Sequence, residues 1–342
     1  MSAAARPPRQ PWREGEGRGA ESKVQELTPS PSFPWIDIAQ TPFAQDDSAA
    51  YYQFLLPNDH RPHGFIAPKV VATMPWTADF RVSPPGELPR SVRLLDTSGG
   101  ADTPGACRES LRRMVEAAIA TNQYDFLRNL HNEDFKIVGA PYPVQLLRTA
   151  APLFGIACRG AHLTMYVRGA EGRIKIWVPR RSMSVKTFKG MLDSTVAGGV
   201  RAEESPFECI VHEADEEASL PEALVRERVR ARGVITYVSR TGQGLGAELG
   251  LMVPECIYVY DLEVGEDVVP TPRDGEVKEF YLWDVETVRA AMRRGEFKPN
   301  CAVVLIDFFI REGIITDENE RHYVDIMRHM HRQLPVPTSG PA

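Results

Sequence analysis

The chain has 342 residues, 43% of them hydrophobic and 25% charged, with a formal net charge of -6. That is the composition of an ordinary globular protein with room for two domains, and its acidic balance argues against a general nucleic-acid binder. Five cysteines (Cys107, Cys158, Cys209, Cys256 and Cys301) form no CxxC pair, so neither a disulfide framework nor a zinc site is expected and a cytoplasmic location is read.

Residues 1–32 are rich in Pro, Arg, Glu, Gly and Ser and lack the apolar content that offsets chain entropy, so they read as a disordered tail. Arg6, Arg9, Arg13 and Arg18 are interrupted by Glu14, Glu16 and Glu21 without an apolar face, which speaks against a targeting peptide. Residues 33–152 read as a smaller α+β domain. Phe54-Leu55-Leu56, Phe65-Ile66 and Val70-Val71 are short extended candidates among turn residues, and Val92, Leu94 and Leu95 suggest a brief strand. Leu111, Met114, Val115, Ala118 and Ile119 then mark a one-sided helix, with a second expected from Tyr124 to Leu130. His60 and His63 sit in a Pro-rich turn without a third ligand, and we read them as surface residues and not a metal pair.

Residues 153–334 read as the second domain. Ala161 to Arg168 and Arg173 to Val178 form a hairpin around a Gly169–Gly172 turn, and a basic segment with Arg180, Arg181, Lys186 and Lys189 follows. Beyond the central stretch, Val234 to Val238 and Ile257 to Leu262 read as strands around a glycine-rich loop, Gly242 to Gly250. Asp274-Gly275-Glu276 turns into the strand Phe280 to Trp283. Helices are expected at Val285 to Arg294, Asn300 to Glu312 and Tyr323 to Arg332. The longest apolar run near the end, Cys301 to Ile306 and Phe308 to Ile310, is broken by Asp307 and too short to span a bilayer, so no membrane partner is expected. Residues 335–342 read as a second disordered tail.

The most informative stretch is Gly198 to Leu220. Ser205 suits a helix N-cap, Pro206 the first turn, and Glu208 would complete a capping box. Phe207, Ile210, Val211, Ala214 and Ala218 make one apolar stripe, which places Glu213, Glu216 and Glu217 on the flank facing away from it. Like charges so placed repel, and no Lys or Arg occurs between Arg201 and Arg226. A hard divalent cation held by carboxylate oxygens is the economical remedy. The bland alternative is a solvated acidic face, which normally mixes signs.

Gly198, Glu204, Glu213, Glu216, Glu217 and Leu220 stand at the positions of the Nudix box, Gly-x5-Glu-x7-Arg-Glu-aliphatic-x-Glu-Glu-x-Gly-aliphatic, which this stretch resembles. His212, Ala214 and Ser219 replace the pattern's Arg, larger aliphatic and Gly. The resemblance extends to Ile176 to Ser182, Gly190-Met191-Leu192-Asp193, Thr195 to Gly199, Glu216 to Leu220 and Asp274 to Val277. Together these look like one Nudix subgroup of fungi and plants. It carries an uncharacterised N-terminal domain and is related to the Nudix region of fungal thiamine pyrophosphokinase fusions.

What the resemblance implies is an α/β/α Nudix sandwich with a mixed sheet, preceded by the smaller domain. It implies a hydrolase that cuts oxidised or damaged thiamine diphosphate (the oxo- and oxythiamine compounds) to the monophosphate. Mg2+, with Mn2+ as the alternative, would be held by Glu213, Glu216, Glu217 and the Gly198 carbonyl. The base would be either Glu213 or Glu276, while Glu204 and His212 would be structural. A small-molecule diphosphate is the expected partner, and Arg180, Arg181 and Lys186 are suited to bind its phosphates; oligomeric state is left open. ADP-ribose or nucleotide-sugar specificity is the first alternative, though Ile235 stands where the ADP-ribose group tends to have a proline. A binding-only Nudix fold is the second, and the intact acidic triad weighs against it. The first domain is expected to cover the substrate pocket, with Trp76, Phe80 and Asn58 among the candidates.

Overall fold

The computed structural model describes residues 50–124, 127, 133–241 and 250–341. The expected N-terminal tail, most of the second helix and all but the last residue of the Gly242–Gly250 loop lie outside the described residues. The first unit is built on a four-stranded sheet in the order β2-β1-β4-β3, from β1 (Tyr52–Leu55), β2 (Pro62–Ile66), β3 (Phe80–Val82) and β4 (Ser91–Leu94). Pro68–Thr73 is the helix α1 and not the extended segment expected at Val70-Val71. Pro68 begins it in the first turn, where no N–H partner is needed, and Val70 is its buried anchor. Helix α2 (Thr103–Ala120) is capped by Asp102, whose carboxylate accepts from Gly105 N at 3.0 Å, and it buries Leu111, Met114, Val115 and Ala118 as the periodicity requires. A small hairpin, β5 (Asp134–Lys136) and β6 (Gln145–Leu147), follows it.

Trp76 and Phe80 pack against the core of this unit, with ring centroids 5.3 Å apart and Trp76 also edge-on to Phe154. Asn58 is exposed. His63 also differs from expectation, since it is 1% exposed and its Nε2 lies 3.0 Å from Asp59 Oδ2. It lies in β2, whose residues from His63 to Ile66 are all buried, and not in an exposed turn.

Short helix α3 (Ala151–Phe154) joins the two units and ends on Gly155 in the left-handed region, φ +60. A Cβ there would lie 2.2 Å from Phe65 O, and one on Gly64 would lie 2.2 Å from Phe154 O. Only glycine permits that approach on both sides.

The second unit is a mixed sheet in the order β10-β11-β7-β8-β12, with β9 also paired to β7. Its strands are β7 (Cys158–Arg168), β8 (Ile174–Arg181), β9 (Val196–Gly199), β10 (Arg230–Arg240), β11 (Met252–Val264) and β12 (Val277–Asp284). β7 and β11 run parallel, and β8 and β9 share one edge of β7, at its end and its start respectively. Strand alternation divides the side chains between two cores. Ala161, Leu163 and Met165 face helices α4 (Pro206–Ala218) and α5 (Glu222–Arg228). Tyr166, Ile176 and Val178 face α6 (Val285–Arg293), α7 (Pro299–Arg311) and α8 (Tyr323–Met330). The α/β/α sandwich with a mixed sheet and a smaller α+β unit before it is therefore present as expected. Among the described residues no helix is long and apolar enough to cross a membrane.

The residues after 334 are not a loose tail where they are described. Val336 is 5% exposed in a cluster with Phe65, Val238 and Leu334 that joins the two units, and Arg61 Nη1 donates to Ser339 O at 3.2 Å. Two apolar side chains among prolines were too few to signal packing in the sequence.

Candidate active site

Helix α4 begins at Pro206 because Ser205 caps it, its Oγ accepting from Glu208 N at 3.1 Å. The capping box is only half made, since the Glu208 carboxylate turns outward to grip both terminal nitrogens of Arg226 at 2.7 Å. The helix ends at Ser219 in the left-handed conformation, φ 54, the place where the family pattern has glycine. Ser219 Oγ donates to Thr271 O, and Asp274 N to Glu216 O, which ties the turn carrying Glu276 to the last turn of the helix.

The three carboxylates do not share one environment. Glu217 is 6% exposed and not on an outward flank, because the helix lies against β9 and Ala197 N donates to Glu217 Oε2 at 2.9 Å. Glu213 lies against Gly198, so closely that a Cβ at 198 would come within 2.2 Å of Glu213 Oε1. Glu216 turns to His212, whose Nε2 lies 2.9 Å from Glu216 Oε1 and whose Nδ1 lies 3.7 Å from Glu204 Oε1. His212 thus bridges Glu204 and Glu216, standing where the family pattern has arginine. Glu204 also accepts from Arg201 N at 3.4 Å, closing the loop before the helix.

Burial pushes the Glu213 carboxyl from its ordinary 4.5 up to about 8; Arg148 and Arg201 oppose the rise while Glu216 and Glu276 add to it. Burial also pushes Glu217 well above the usual carboxylate range, with Glu213, Asp193 and Glu276 adding and the Ala197 N–H opposing. Glu276 is exposed, on the loop that Asp274 N ties to Glu216 O at the end of the helix. Among the described residues no three His, Cys, Asp or Glu side chains gather tightly enough to enclose a metal ion by themselves. A Mg2+ ion needs no such cage, since it keeps several waters and binds through one or two carboxylates. The chemistry of Glu213 and Glu217 fits it, because a half-buried and a buried carboxyl on one helix favour joint ionisation only if a cation joins them.

The basic residues separate. Strand alternation sends Arg180 and Arg181 to opposite faces of β8. Arg180 is engaged away from the carboxylates, donating to Gly190 O at 2.8 Å and to Tyr281 Oη at 3.3 Å. Arg181 donates to Asp193 Oδ2 at 2.8 Å and feels the charges of Glu276 and Glu217. Lys186 is exposed in the loop after β8.

Several neighbours escaped the sequence reading. Glu133 and Arg148 of the first unit reach the box. Glu133 accepts from Arg148 at 2.7 Å and from Arg201 at 3.0 Å, and Ala202 N donates to Asp134 O. Phe135 and Arg148 lie so near Gly199 that a Cβ there would meet them at 2.9 and 3.0 Å. The first unit therefore meets the site through its β5–β6 hairpin. Asp193 is held down to about 2 because Lys298 and Arg181 outweigh a burial that would raise it, and only its place in Gly190 to Asp193 could have singled it out. A groove of about 610 Å3 between α2 and β6, lined by Arg108, Glu109 and Arg112, lies apart from this constellation.

In the unfolded chain Glu213 loses its proton near 4.5, and in the folded chain near about 8, so the native state binds more protons between those values. Its stability therefore falls as pH rises through that window. With EDTA, the melting temperature is expected to drop from about pH 5 to about pH 8, and the rise on adding Mg2+ to be larger at the upper end. A Mg2+ effect that is the same at both ends would remove Glu213 from the binding site.

An α/β/α sandwich whose glycine-flanked helix packs an acidic pair against the sheet is the architecture of a Nudix domain, and residues 159–301 match the family model described as NUDIX domain. Over that segment the chain matches the Nudix family model, which covers less than half of its length. It is 38% identical over 218 residues to the Saccharomyces cerevisiae uncharacterized protein YJR142W, covering 62% of this chain and 64% of that one. It is also 36% identical over 192 residues to Nudix hydrolase 20, chloroplastic, of Arabidopsis thaliana, covering 56% of this chain and 49% of that protein. The chain thus spans less than two thirds of the length of either relative. A crystal structure of a C. elegans Ap4A hydrolase binary complex aligns with a TM-score of 0.33 at 14% identity, covering 46% of this chain and 99% of that one.

Proposed function

We propose that the protein is a Mg2+-dependent Nudix diphosphatase that hydrolyses oxidised or damaged thiamine diphosphate to the monophosphate and phosphate. The observation that carries the chemistry is the Glu213–Glu217 pair packed on β9, with Glu213 against Gly198 and Glu217 accepting from Ala197 N. A bound divalent cation would neutralise diphosphate oxygens and acidify a water ligand. Glu213 and Glu217 would hold that ion, and Glu216 sits one turn away. Arg181 would meet phosphate oxygens with its free donors. Glu276, on an exposed turn, suits the role of base because it can move onto the attacking water, while the packing of Glu213 against Gly198 favours a holding role for it. The thiamine preference rests on the subgroup motifs from Ile176 to Val277, two of which, Arg181 and Asp193, line this site.

The test is phosphate release with Mg2+ from oxothiamine diphosphate, oxythiamine diphosphate, thiamine diphosphate, ADP-ribose and UDP-glucose in parallel. The expected result is a preference for the oxidised thiamine compounds, abolished by EDTA. Faster cleavage of ADP-ribose or UDP-glucose would leave the diphosphatase chemistry and remove the thiamine assignment. No turnover of any compound would favour a binding role.

A further inference from the structure

A lysine far from the box in sequence is delivered to the edge of this site. The segment before α7 runs alongside Leu192: Leu192 N donates to Glu296 O and Lys298 N to Leu192 O, each at 2.8 Å, with Phe297 fully buried as the anchor. Lys298 is thereby set beside Asp193. The Asp193 carboxylate is already engaged on both oxygens. Oδ2 takes Arg181 Nη1 at 2.8 Å, and Oδ1 takes Cys301 Sγ at 2.6 Å and Ser194 N at 2.9 Å. Lys298 Nζ stands off at 3.8 Å from Oδ2, beyond hydrogen-bond distance, and over the Phe188 ring, 5.8 Å from its centroid. The ammonium is held in place by charge while its donors are not used up. Across Asp193, the buried Arg181 Nε likewise has no partner.

We propose that Lys298 and Arg181, spaced by Asp193, form the cationic half of a diphosphate subsite whose anionic half is the metal-holding pair, with Lys298 donating to a non-bridging oxygen of the substrate's diphosphate. This rests on the diphosphatase reading above. Asp193 lies on the segment that runs into β9, whose Ala197 N donates to Glu217 Oε2 at 2.9 Å, so the two cations flank the strand that carries the carboxylates. Arg181 and Lys298 both face Asp193, and neither spends all its donors on it, which leaves N–H groups for the oxygens of a diphosphate. A partly buried ammonium with unused donors is costly unless a ligand supplies acceptors, and charge-assisted hydrogen bonds to phosphate are among the stronger ones. A purely structural lysine would close on Asp193, where Arg181, Cys301 and the Ser194 amide instead fill the oxygens.

The experiment is calorimetric titration of the full chain with methylenediphosphonate, a diphosphate with a P–C–P bridge that cannot be hydrolysed, in the presence of Mg2+. Wild type is expected to bind, Lys298→Gln to bind about 10-fold or more weakly, and Lys298→Arg to recover part of the loss. All three should melt within a few degrees of one another. In turnover assays Lys298→Gln should raise KM more than it lowers kcat. Equal affinity in wild type and Lys298→Gln overturns the proposal, as does a loss that Lys298→Arg shares in full together with a lowered melting temperature. If wild type itself does not bind the diphosphonate, the diphosphatase reading falls and this inference with it.

Discussion

Glu217→Gln is expected to cut Mg2+-dependent turnover by about 10²-fold or more while leaving the fold intact. The amide has the carboxylate's volume, and its carbonyl oxygen can keep accepting from Ala197 N, so helix α4 stays docked on β9. What is lost is one of two anions available to a cation in a buried setting. The stability of the metal-free variant should equal or exceed wild type near neutral pH, because a carboxyl that burial pushes well above its usual range has been replaced by a neutral group. Activity and melting temperature are therefore expected to move in different directions, which a general packing defect would not produce. Retained turnover with undiminished Mg2+ binding would refute the ligand role of Glu217.

Gly198→Ala is expected to be nearly as damaging, although it adds one methyl. The new Cβ would stand 2.2 Å from Glu213 Oε1 and 2.5 Å from its Cδ and Cγ, so the side chain must leave its position against β9. Gly198 is held by pairing with Ala161 in the middle of the β7–β9 ladder and cannot move instead. Turnover should fall by about 10²-fold and more Mg2+ should be needed for half-maximal activity, with the circular dichroism spectrum unchanged. Wild-type kinetics in this variant would show that Glu213 works from another position. Gly199→Ala provides a contrast, since the groups it meets are the Phe135 ring edge and the Arg148 guanidinium, far ends of side chains that can yield.

The sequence by itself determined the local elements near the site, because each is encoded within a few residues of itself. Ser205 and Pro206 start α4, its apolar stripe fixes the face it buries, and alternation in β7 and β8 sets their sidedness. The spacing from Gly198 to Glu217 placed a glycine and an acidic pair on consecutive elements, which the structure stacks against each other. Short-range periodicity did not reveal that Val70-Val71 continue a helix begun at Pro68, because a stretch of six residues holds too few repeats to distinguish helix from strand.

Tertiary structure alone decided how the charges are shared. Glu216 and Glu217 are neighbours in the chain, yet one turns to His212 and the other is buried, since about 100° of helix rotation separates a solvent edge from a packed one. Arg180 and Arg181 are likewise parted by the pleat of β8. Lys298, Cys301 and Asp193 meet because Glu296 to Lys298 run alongside Leu192, and Arg148 reaches the box through packing against Glu133 and Gly199, far from it in the chain. Such long-range contacts leave no periodic trace in either partner segment: the sequence specifies the carboxylates, and the packing of distant segments selects which cations stand beside them.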